Sequence, residues 1–139
     1  IRMTHLKAIA AARDHGAFVC YVPELAQAAA FWPEGGSLRE TAQLFFPQAD
    51  VLLLKESDLV PLFGSRELRT ALFALFRGHV QLIFYSSSDK THLFTRNVML
   101  SCPQNGLSPA EFLRRLNALH TWPDKLSGLR EVTLRKLLL

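Results

Sequence analysis

The fold of this chain is decided by the stretch Asp50-Val51-Leu52-Leu53-Leu54-Lys55-Glu56-Ser57-Asp58. Its four consecutive apolar residues, 51–54, stand between an acidic residue and a polar cluster. A short, unbroken apolar run with polar ends is typical of a β-strand that is covered on both faces. The stretch therefore predicts a central strand of a sheet that lies between layers of helices.

Helices and strands alternate on both sides of this strand. Upstream, hydrophobic spacing and capping residues predict a helix over 3–14, a strand over 17–22, and helices over 24–32 and 37–46. Downstream, they predict a turn or extended piece over 59–63, a helix over 66–77, strands over 79–85 and 91–101, and helices starting at 108 and 121. Because right-handed crossovers make successive strands parallel, the order favours an α/β fold.

The predicted architecture is a small three-layer α/β sheet. Three strands are expected to be parallel, the fourth adds an antiparallel hairpin at one edge, and helices cover both faces. The alternative is an α+β arrangement, in which a curved antiparallel sheet carries its helices on one side.

Length and composition set the broad class. A chain of 139 residues predicts a single globular domain over 1–139, and the first residue, Ile1, together with three terminal leucines suggests a piece of a larger protein. No apolar run is long enough for a membrane span, and no signal peptide is evident. Two cysteines, Cys20 and Cys102, lie beside apolar runs and predict buried, reduced thiols. We therefore expect a cytoplasmic location.

Two polar clusters follow the predicted second and third strands. In a parallel sheet these clusters share the carboxyl edge, where ligands of open α/β sheets bind. Lysine and serine side chains suit a phosphate or carboxylate, and aspartates suit a ribose or a metal. The predicted ligand-binding residues are Lys55, Ser57, Asp58, Ser86, Ser87 and Asp89. The same polar residues also suit ordinary solvated loops.

Established catalytic motifs are absent from the sequence. No glycine-rich dinucleotide loop follows the first strand, and no phosphate loop ending in Gly-Lys-Ser or Gly-Lys-Thr occurs. The histidines never stand four residues apart on one helix, so no metal site and no cofactor are predicted. A nuclease-like metal site built on Asp50 and Lys55 would lack its second acid, because position 53 is leucine.

The charge is uneven along the chain. Residues 65–139 carry eleven basic and five acidic groups, a net charge of +6. Such an excess is compatible with electrostatic nucleic-acid binding, provided that the predicted helices share one side of the sheet. The residues proposed for this contact are Arg66, Arg69, Arg77, Arg114, Arg115, Arg130, Arg135 and Lys136.

The sequence favours a non-catalytic regulatory or protein-interaction domain of a larger intracellular protein, and not an enzyme. Hydrophobic residues make up 49% of the chain, which suggests a surface that docks on a protein partner or a second copy. Phe31, Trp32 and Trp122 stand beside prolines and are the candidate interface anchors. The first alternative is a sensory domain that binds a small anionic or nucleotide ligand at the carboxyl edge. The second is nucleic-acid binding.

Overall fold

A computed structural model describes residues 2–23, 35–63, 67–119 and 130–139 of the protein. Its helices are α1 (Arg2–Asp14), α2 (Gly35–Phe45), α3 (Leu59–Phe63), α4 (Leu68–Leu75), α5 (Pro109–Asn117) and α6 (Glu131–Leu138). Its strands are β1 (Cys20–Tyr21), β2 (Val51–Lys55), β3 (Leu82–Ser86), β4 (Lys90–Phe94) and β5 (Met99–Pro103). Two 3-10 turns, Phe46–Gln48 and Glu56–Asp58, flank β2.

The five strands form one mixed sheet in the order β1-β2-β3-β4-β5. The β1, β2 and β3 strands are parallel, with Val51 opposite Leu82 and Lys55 opposite Ser86. The β3, β4 and β5 strands follow as antiparallel neighbours. The α/β prediction with three parallel strands and an antiparallel edge is confirmed, and the α+β alternative is wrong.

Helices cover both faces of the sheet because side chains of a strand alternate between its two sides. Leu52 and Leu54 of β2 pack with residues of α2, α3 and α4. Val51 and Leu53 point the other way and pack with residues of α5 and α6. All four side chains are buried, which explains why β2 is an unbroken apolar run.

The predicted strand over 91–101 is two strands joined by a turn. Thr95 closes this turn: its hydroxyl oxygen accepts hydrogen bonds from the N–H groups of Asn97 and Val98, at 3.3 and 3.0 Å. Its own N–H donates to the carbonyl of Val98 at 2.9 Å. The prediction of one continuous strand passed over the three consecutive polar residues 95–97, which form this turn.

The third strand starts three residues later than its apolar pattern predicts, because a close contact precedes it. Gly78 has a φ of +60°, and a Cβ at this position would lie 2.4 Å from the carbonyl oxygen of Pro47. The N–H of His79 donates to that same carbonyl at 2.8 Å. This turn fixes the end of α4 against the 3-10 turn before β2 and delays the start of β3 to Leu82.

The segment 59–63 is a short helix and not an extended piece. Leu59 and Leu62 are both buried under β2, so apolar burial with helical spacing decides the conformation. The helices predicted over 37–46 and from 108 are confirmed as α2 and α5, and the helix over 66–77 is shorter, as α4. The helix predicted over 24–32 and the start of the last helix at 121 lie outside the described residues.

The amino end of β2 is closed by Asp50, which is 4% exposed. One carboxylate oxygen accepts a hydrogen bond from Arg13 of α1 at 2.9 Å, and the other accepts one from the N–H of Val19 at 2.9 Å. Arg13 also donates to the carbonyl of Gln48. Asp50 therefore joins α1, the approach to β1 and β2, which is a structural task and not that of a metal ligand.

Both cysteines are free thiols, as predicted. Cys20, however, is exposed on the edge strand β1, and Cys102 is partly buried, so the prediction that both are buried is wrong for Cys20. Among the described residues, no helix combines the length and apolar character that a membrane crossing requires.

Candidate functional site

The carboxyl ends of β2 and β3 form one side of an open cleft of about 700 Å³. Parallel pairing aligns Lys55 with Ser86, so the polar clusters that follow the two strands face the same space. The cleft is lined by Lys55, Glu56, Ser57, Val60, Ser86, Ser87 and Ser88. Four of the six predicted ligand-binding residues are among them: Lys55, Ser57, Ser86 and Ser87.

The other two predicted residues, Asp58 and Asp89, shape the cleft and do not line it. Asp58 is 1% exposed, and its carboxylate accepts a hydrogen bond from the N–H of Lys55 at 2.9 Å. This bond closes the 3-10 turn that carries Glu56 and Ser57. Asp58 thus fixes the direction in which the chain leaves β2.

The three consecutive serines form a tight hairpin between β3 and β4, which we call the serine hairpin (Ser86–Ser88). The hydroxyl of Ser87 donates to the carboxylate of Asp89 at 2.9 Å, and its oxygen accepts the N–H of Lys90 at 3.2 Å. The N–H of Ser88 stands 3.5 Å from the carboxylate of Glu56, the outer limit of a hydrogen bond. The hairpin is therefore held by its own polar groups and leans toward the turn after β2.

Gln104, just beyond β5, ties this hairpin to the rest of the sheet. Its side-chain amide nitrogen donates to the hydroxyl oxygen of Ser86 at 2.9 Å and to the carbonyl of Ser87 at 2.7 Å. Its amide oxygen accepts from the Thr91 hydroxyl at 3.2 Å and the Gly106 N–H at 3.0 Å. Glu56 and Ser88 belong to the two predicted polar clusters but were not among the predicted ligand-binding residues. Sequence reasoning missed Gln104, because only the β4–β5 pairing brings position 104 to Ser86.

Three carboxylates near the carboxyl end of β3 influence the pKa of Tyr85. Burial raises the pKa of Tyr85 to about 12, and the charges of Glu56, Asp89 and Asp58 add to this effect in that order. The adjacent His92 ring has its pKa lowered, first by burial and then by the charge of Lys90. Of the carboxylates that act on Tyr85, Glu56 lines the cleft beside Lys55.

The basic residues do not converge on one surface. Arg69 lies on α4, which packs on one face of the sheet, whereas α5 and α6 pack on the other face. Arg77 follows α4, and its guanidinium lies 5.5 Å from the ring centre of Phe46. The condition set for a nucleic-acid surface, that the helices share one side, is therefore not met. Arg66 lies outside the described residues.

Several of these arginines are already paired within their own helices. Arg114 forms a 2.7 Å ion pair with Glu111, and the pKa of Glu111 falls to about 2, first through the hydrogen bond from Arg114. Arg115 is partly buried and donates to the carbonyl of Leu137 at 3.1 Å, which ties α5 to α6 and contradicts its expected outward orientation. Arg135 pairs with Glu131 at 2.7 Å, while Arg130 and Lys136 are exposed at either end of α6.

The candidate interface anchors Phe31, Trp32 and Trp122 lie outside the described residues, so the predicted docking surface stays a prediction. In the described part of the chain, no three His, Cys, Asp or Glu side chains come together as they would to hold a metal ion.

The fold resembles that of solved sugar kinases. No protein-family model matches the sequence, and no curated protein matches it. A double mutant of fructokinase from Vibrio cholerae O395, in a form with bound fructose, ADP and potassium ion, matches with a TM-score of 0.77 at 20% identity, over 99% of this chain and 46% of its own. Fructokinase from Xylella fastidiosa with bound ATP matches with a TM-score of 0.74 at 17% identity, over 99% and 45%.

A third solved structure extends the likeness to a riboside kinase. Aminoimidazole riboside kinase from Salmonella enterica, complexed with aminoimidazole riboside and an ATP analogue, matches with a TM-score of 0.68 at 16% identity, over 96% of this chain and 46% of its own. At these identities the likeness shows the fold. The chain spans a little less than half the length of the kinases that it matches.

These similarities contradict the prediction of a non-catalytic regulatory or interaction domain. Nearly the whole chain shares its fold with part of several kinases, so the expectation that the protein is not an enzyme is also wrong. The sensory and nucleic-acid alternatives fall with it. The negative argument from missing motifs failed because the absence of a familiar motif does not exclude a fold shared with kinases.

Proposed function

We propose that this chain is part of a kinase and that its cleft holds the phosphates of a nucleoside triphosphate. One observation carries the proposal: a cleft lined by a lysine and serines opens at the carboxyl ends of two parallel strands, in a fold shared with kinases. Open α/β sheets bind their ligands at this edge. The solved neighbours include forms with bound ATP, ADP and an ATP analogue.

The polar groups of the cleft suit a phosphate chain. Lys55 is exposed at the end of β2 and supplies a compact positive charge of the kind that binds phosphate oxygens. Ser57, in the turn after β2, and Ser86 and Ser88, at the end of β3 and in the turn after it, line the cleft, where hydroxyl and backbone N–H groups can donate to phosphate oxygens. Together they would hold the phosphates against the strand ends and orient them.

We propose that the nucleotide binds as its magnesium complex, because Glu56 places a carboxylate in the cleft lining. A bare triphosphate would be repelled by Glu56 and by the charges that raise the pKa of Tyr85. Mg²⁺ favours oxygen ligands and needs only one or two carboxylates when phosphates and water complete its shell. Glu56 would hold the ion at the cleft mouth. The bound ion neutralises charge on the phosphates and so assists phosphoryl transfer.

The proposed acceptor is a hydroxyl group of a sugar or riboside, because the neighbours include kinases of fructose and of aminoimidazole riboside. Transfer of the terminal phosphoryl group to such a hydroxyl would make this chain the nucleotide-binding part of a sugar-type kinase. A cytoplasmic location accords with this proposal, since nucleoside triphosphates are abundant there. A protein partner or a second copy of the chain remains a proposal beside it.

The decisive variant is Lys55→Ala, with Lys136→Ala as its matched control. Both lysines are exposed, but Lys136 lies on α6 and is not among the residues that line the cleft. Removal of a charge-assisted hydrogen bond should weaken binding of Mg·ATP about tenfold or more. Isothermal titration calorimetry in the presence and absence of Mg²⁺ measures the effect.

Lys136→Ala should bind Mg·ATP as the wild type does, and the wild type should bind ATP more tightly with Mg²⁺ than without it. Equal affinity of the wild type and Lys55→Ala for Mg·ATP would contradict the assignment of this cleft as the nucleotide site. Tighter binding of ATP without Mg²⁺ would show that the carboxylates do not act through a metal ion.

A further inference from the structure

We propose that the hydroxyl group of Ser86 donates a hydrogen bond to a phosphate oxygen in the cleft, and that Gln104 is the positioning residue that turns the hydroxyl proton that way. The inference rests on the proposed function, because it needs a phosphate in the cleft. It extends the proposed function because it gives Ser86 and Ser87 different roles and gives a role to Gln104, which does not line the cleft.

The orientation of the Gln104 amide is fixed by its partners. The N–H of Gly106 is a donor only, so the side-chain atom that receives it, 3.0 Å away, must be the amide oxygen. The carbonyl of Ser87 is an acceptor only, so the atom 2.7 Å from it must be the amide nitrogen. The two restraints agree, which leaves the amide a single orientation.

This orientation decides which way the Ser86 hydroxyl points. The amide nitrogen of Gln104 donates to the hydroxyl oxygen of Ser86 at 2.9 Å, so that oxygen already acts as an acceptor. A hydroxyl has one proton of its own to donate. Among the described residues, the Ser86 hydroxyl accepts this hydrogen bond and donates none. The proton is therefore available to a ligand on the cleft side, beside Lys55, which is the register partner of Ser86.

The neighbouring serine has the opposite arrangement. The Ser87 hydroxyl donates to the carboxylate of Asp89 at 2.9 Å, while its oxygen accepts the N–H of Lys90. Its proton is therefore used inside the turn. The serine hairpin combines Ser87, which holds the turn, with Ser86, whose hydroxyl is turned outward by Gln104.

A double-mutant cycle on Ser86→Ala and Gln104→Met tests this division. The probe is inorganic tripolyphosphate with Mg²⁺, which presents the phosphate chain without a nucleoside. Ser86→Ala should weaken its binding about tenfold, and Gln104→Met about threefold, as expected for loss of one hydrogen bond and of its orientation. In the Ser86→Ala background, Gln104→Met should change the affinity very little, because the two residues act on one hydroxyl.

Two further variants serve as a control and as a second test of Gln104. Ser101→Ala, an exposed serine on β5, should leave the affinity unchanged and is the matched control for Ser86→Ala. Gln104→Glu preserves size, but its carboxylate can only accept hydrogen bonds, so the Ser86 proton should turn away from the cleft. Circular dichroism and thermal melting establish that each variant is folded, and Gln104→Glu replaces Gln104→Met if the latter is not.

Each result separates this inference from the proposed function. If Lys55→Ala weakens binding while Ser86→Ala does not, the nucleotide cleft stands and the role of Ser86 is overturned. If the effects of Ser86→Ala and Gln104→Met simply add, Gln104 acts on the fold and not through Ser86, which overturns its positioning role. If the wild type binds neither tripolyphosphate nor Mg·ATP, both proposals are overturned together.

Discussion

The two ends of β2 carry similar polar residues but differ in how far these residues are exposed. At the amino end, both carboxylate oxygens of Asp50 are engaged, one by Arg13 and one by the N–H of Val19. At the carboxyl end, Lys55 and Glu56 are exposed beside an open cleft. One end is closed by a saturated ion pair, whereas the other offers lysine and hydroxyl groups to a ligand.

The comparison shows why residue type alone does not identify a site in this protein. A buried aspartate whose hydrogen-bonding capacity is met inside the protein stabilises the junction of α1, β1 and β2. An exposed lysine next to a hydroxyl with an available proton can bind the oxygen atoms of an anionic ligand. The same distinction separates Ser87, used inside its turn, from Ser86.

The largest expected effect is on stability and lies at the amino end. Asp50→Ala removes the partner of Arg13 and of the Val19 N–H, and the loss of hydrogen bonds to a charged group should lower the free energy of unfolding by about 2–3 kcal/mol. Urea denaturation followed by circular dichroism measures this change. Asp14→Ala, an exposed aspartate at the end of α1, is the matched control and should change it by less than about 0.5 kcal/mol.

A stability loss from Asp50→Ala no larger than that from Asp14→Ala would contradict the structural role of the amino end. Asp50 would then contribute no more to the free energy of unfolding than an exposed aspartate does.

The raised pKa of Tyr85, near the carboxyl end of β3, predicts a loss of stability at high pH. The pKa of Tyr85 is raised to about 12, so the fold favours the neutral phenol. Because the folded pKa lies above the unfolded value of about 10, this contribution to stability is complete below about pH 10 and is lost as the pH rises toward 12. The unfolding free energy of the wild type should therefore fall relative to that of Tyr85→Phe over this range.

Ultraviolet titration of the phenolate band gives a second readout of the same group. Glu56→Gln removes the second cause of the shift, after burial, and should lower the pKa of Tyr85. Tyr21, the other tyrosine, also has a raised pKa, so Tyr21→Phe simplifies the titration. An unchanged pKa of Tyr85 in Glu56→Gln would contradict the contribution of the Glu56 charge, and a phenolate that forms near pH 10 in the folded protein would contradict the raised pKa itself.

Much of the fold follows from local sequence patterns. The apolar run of β2 specified a strand buried on both faces, and Ser108 begins α5 as predicted, with its hydroxyl oxygen accepting the N–H of Glu111 at 3.1 Å. The prediction from local patterns failed at two positions, one overridden by a tertiary contact and one by a local turn. The approach of Gly78 to Pro47 delays β3, and the Thr95 turn divides an apparently continuous strand.

The candidate site was predictable only in part. The parallel order of β2 and β3 implied that Lys55 and Ser86 would meet, and they are register partners. Gln104 could not be found in this way, because its role depends on the β4–β5 pairing and on the direction of one amide. Function was misjudged because the sequence has no familiar phosphate-binding motif, and absence of a motif does not exclude a cleft assembled from strand ends.

The most direct test of the nucleotide cleft is an amide chemical-shift titration of the protein with Mg·ATP. We predict that the amides of residues 55–57 and 86–88 shift together with one dissociation constant, while those of Arg13, Val19 and Asp50 at the opposite end of β2 remain unchanged. Shifts confined to the amino end, or no shifts at Mg·ATP concentrations of about 10 mM, well above the usual range for nucleotide enzymes, would contradict the account.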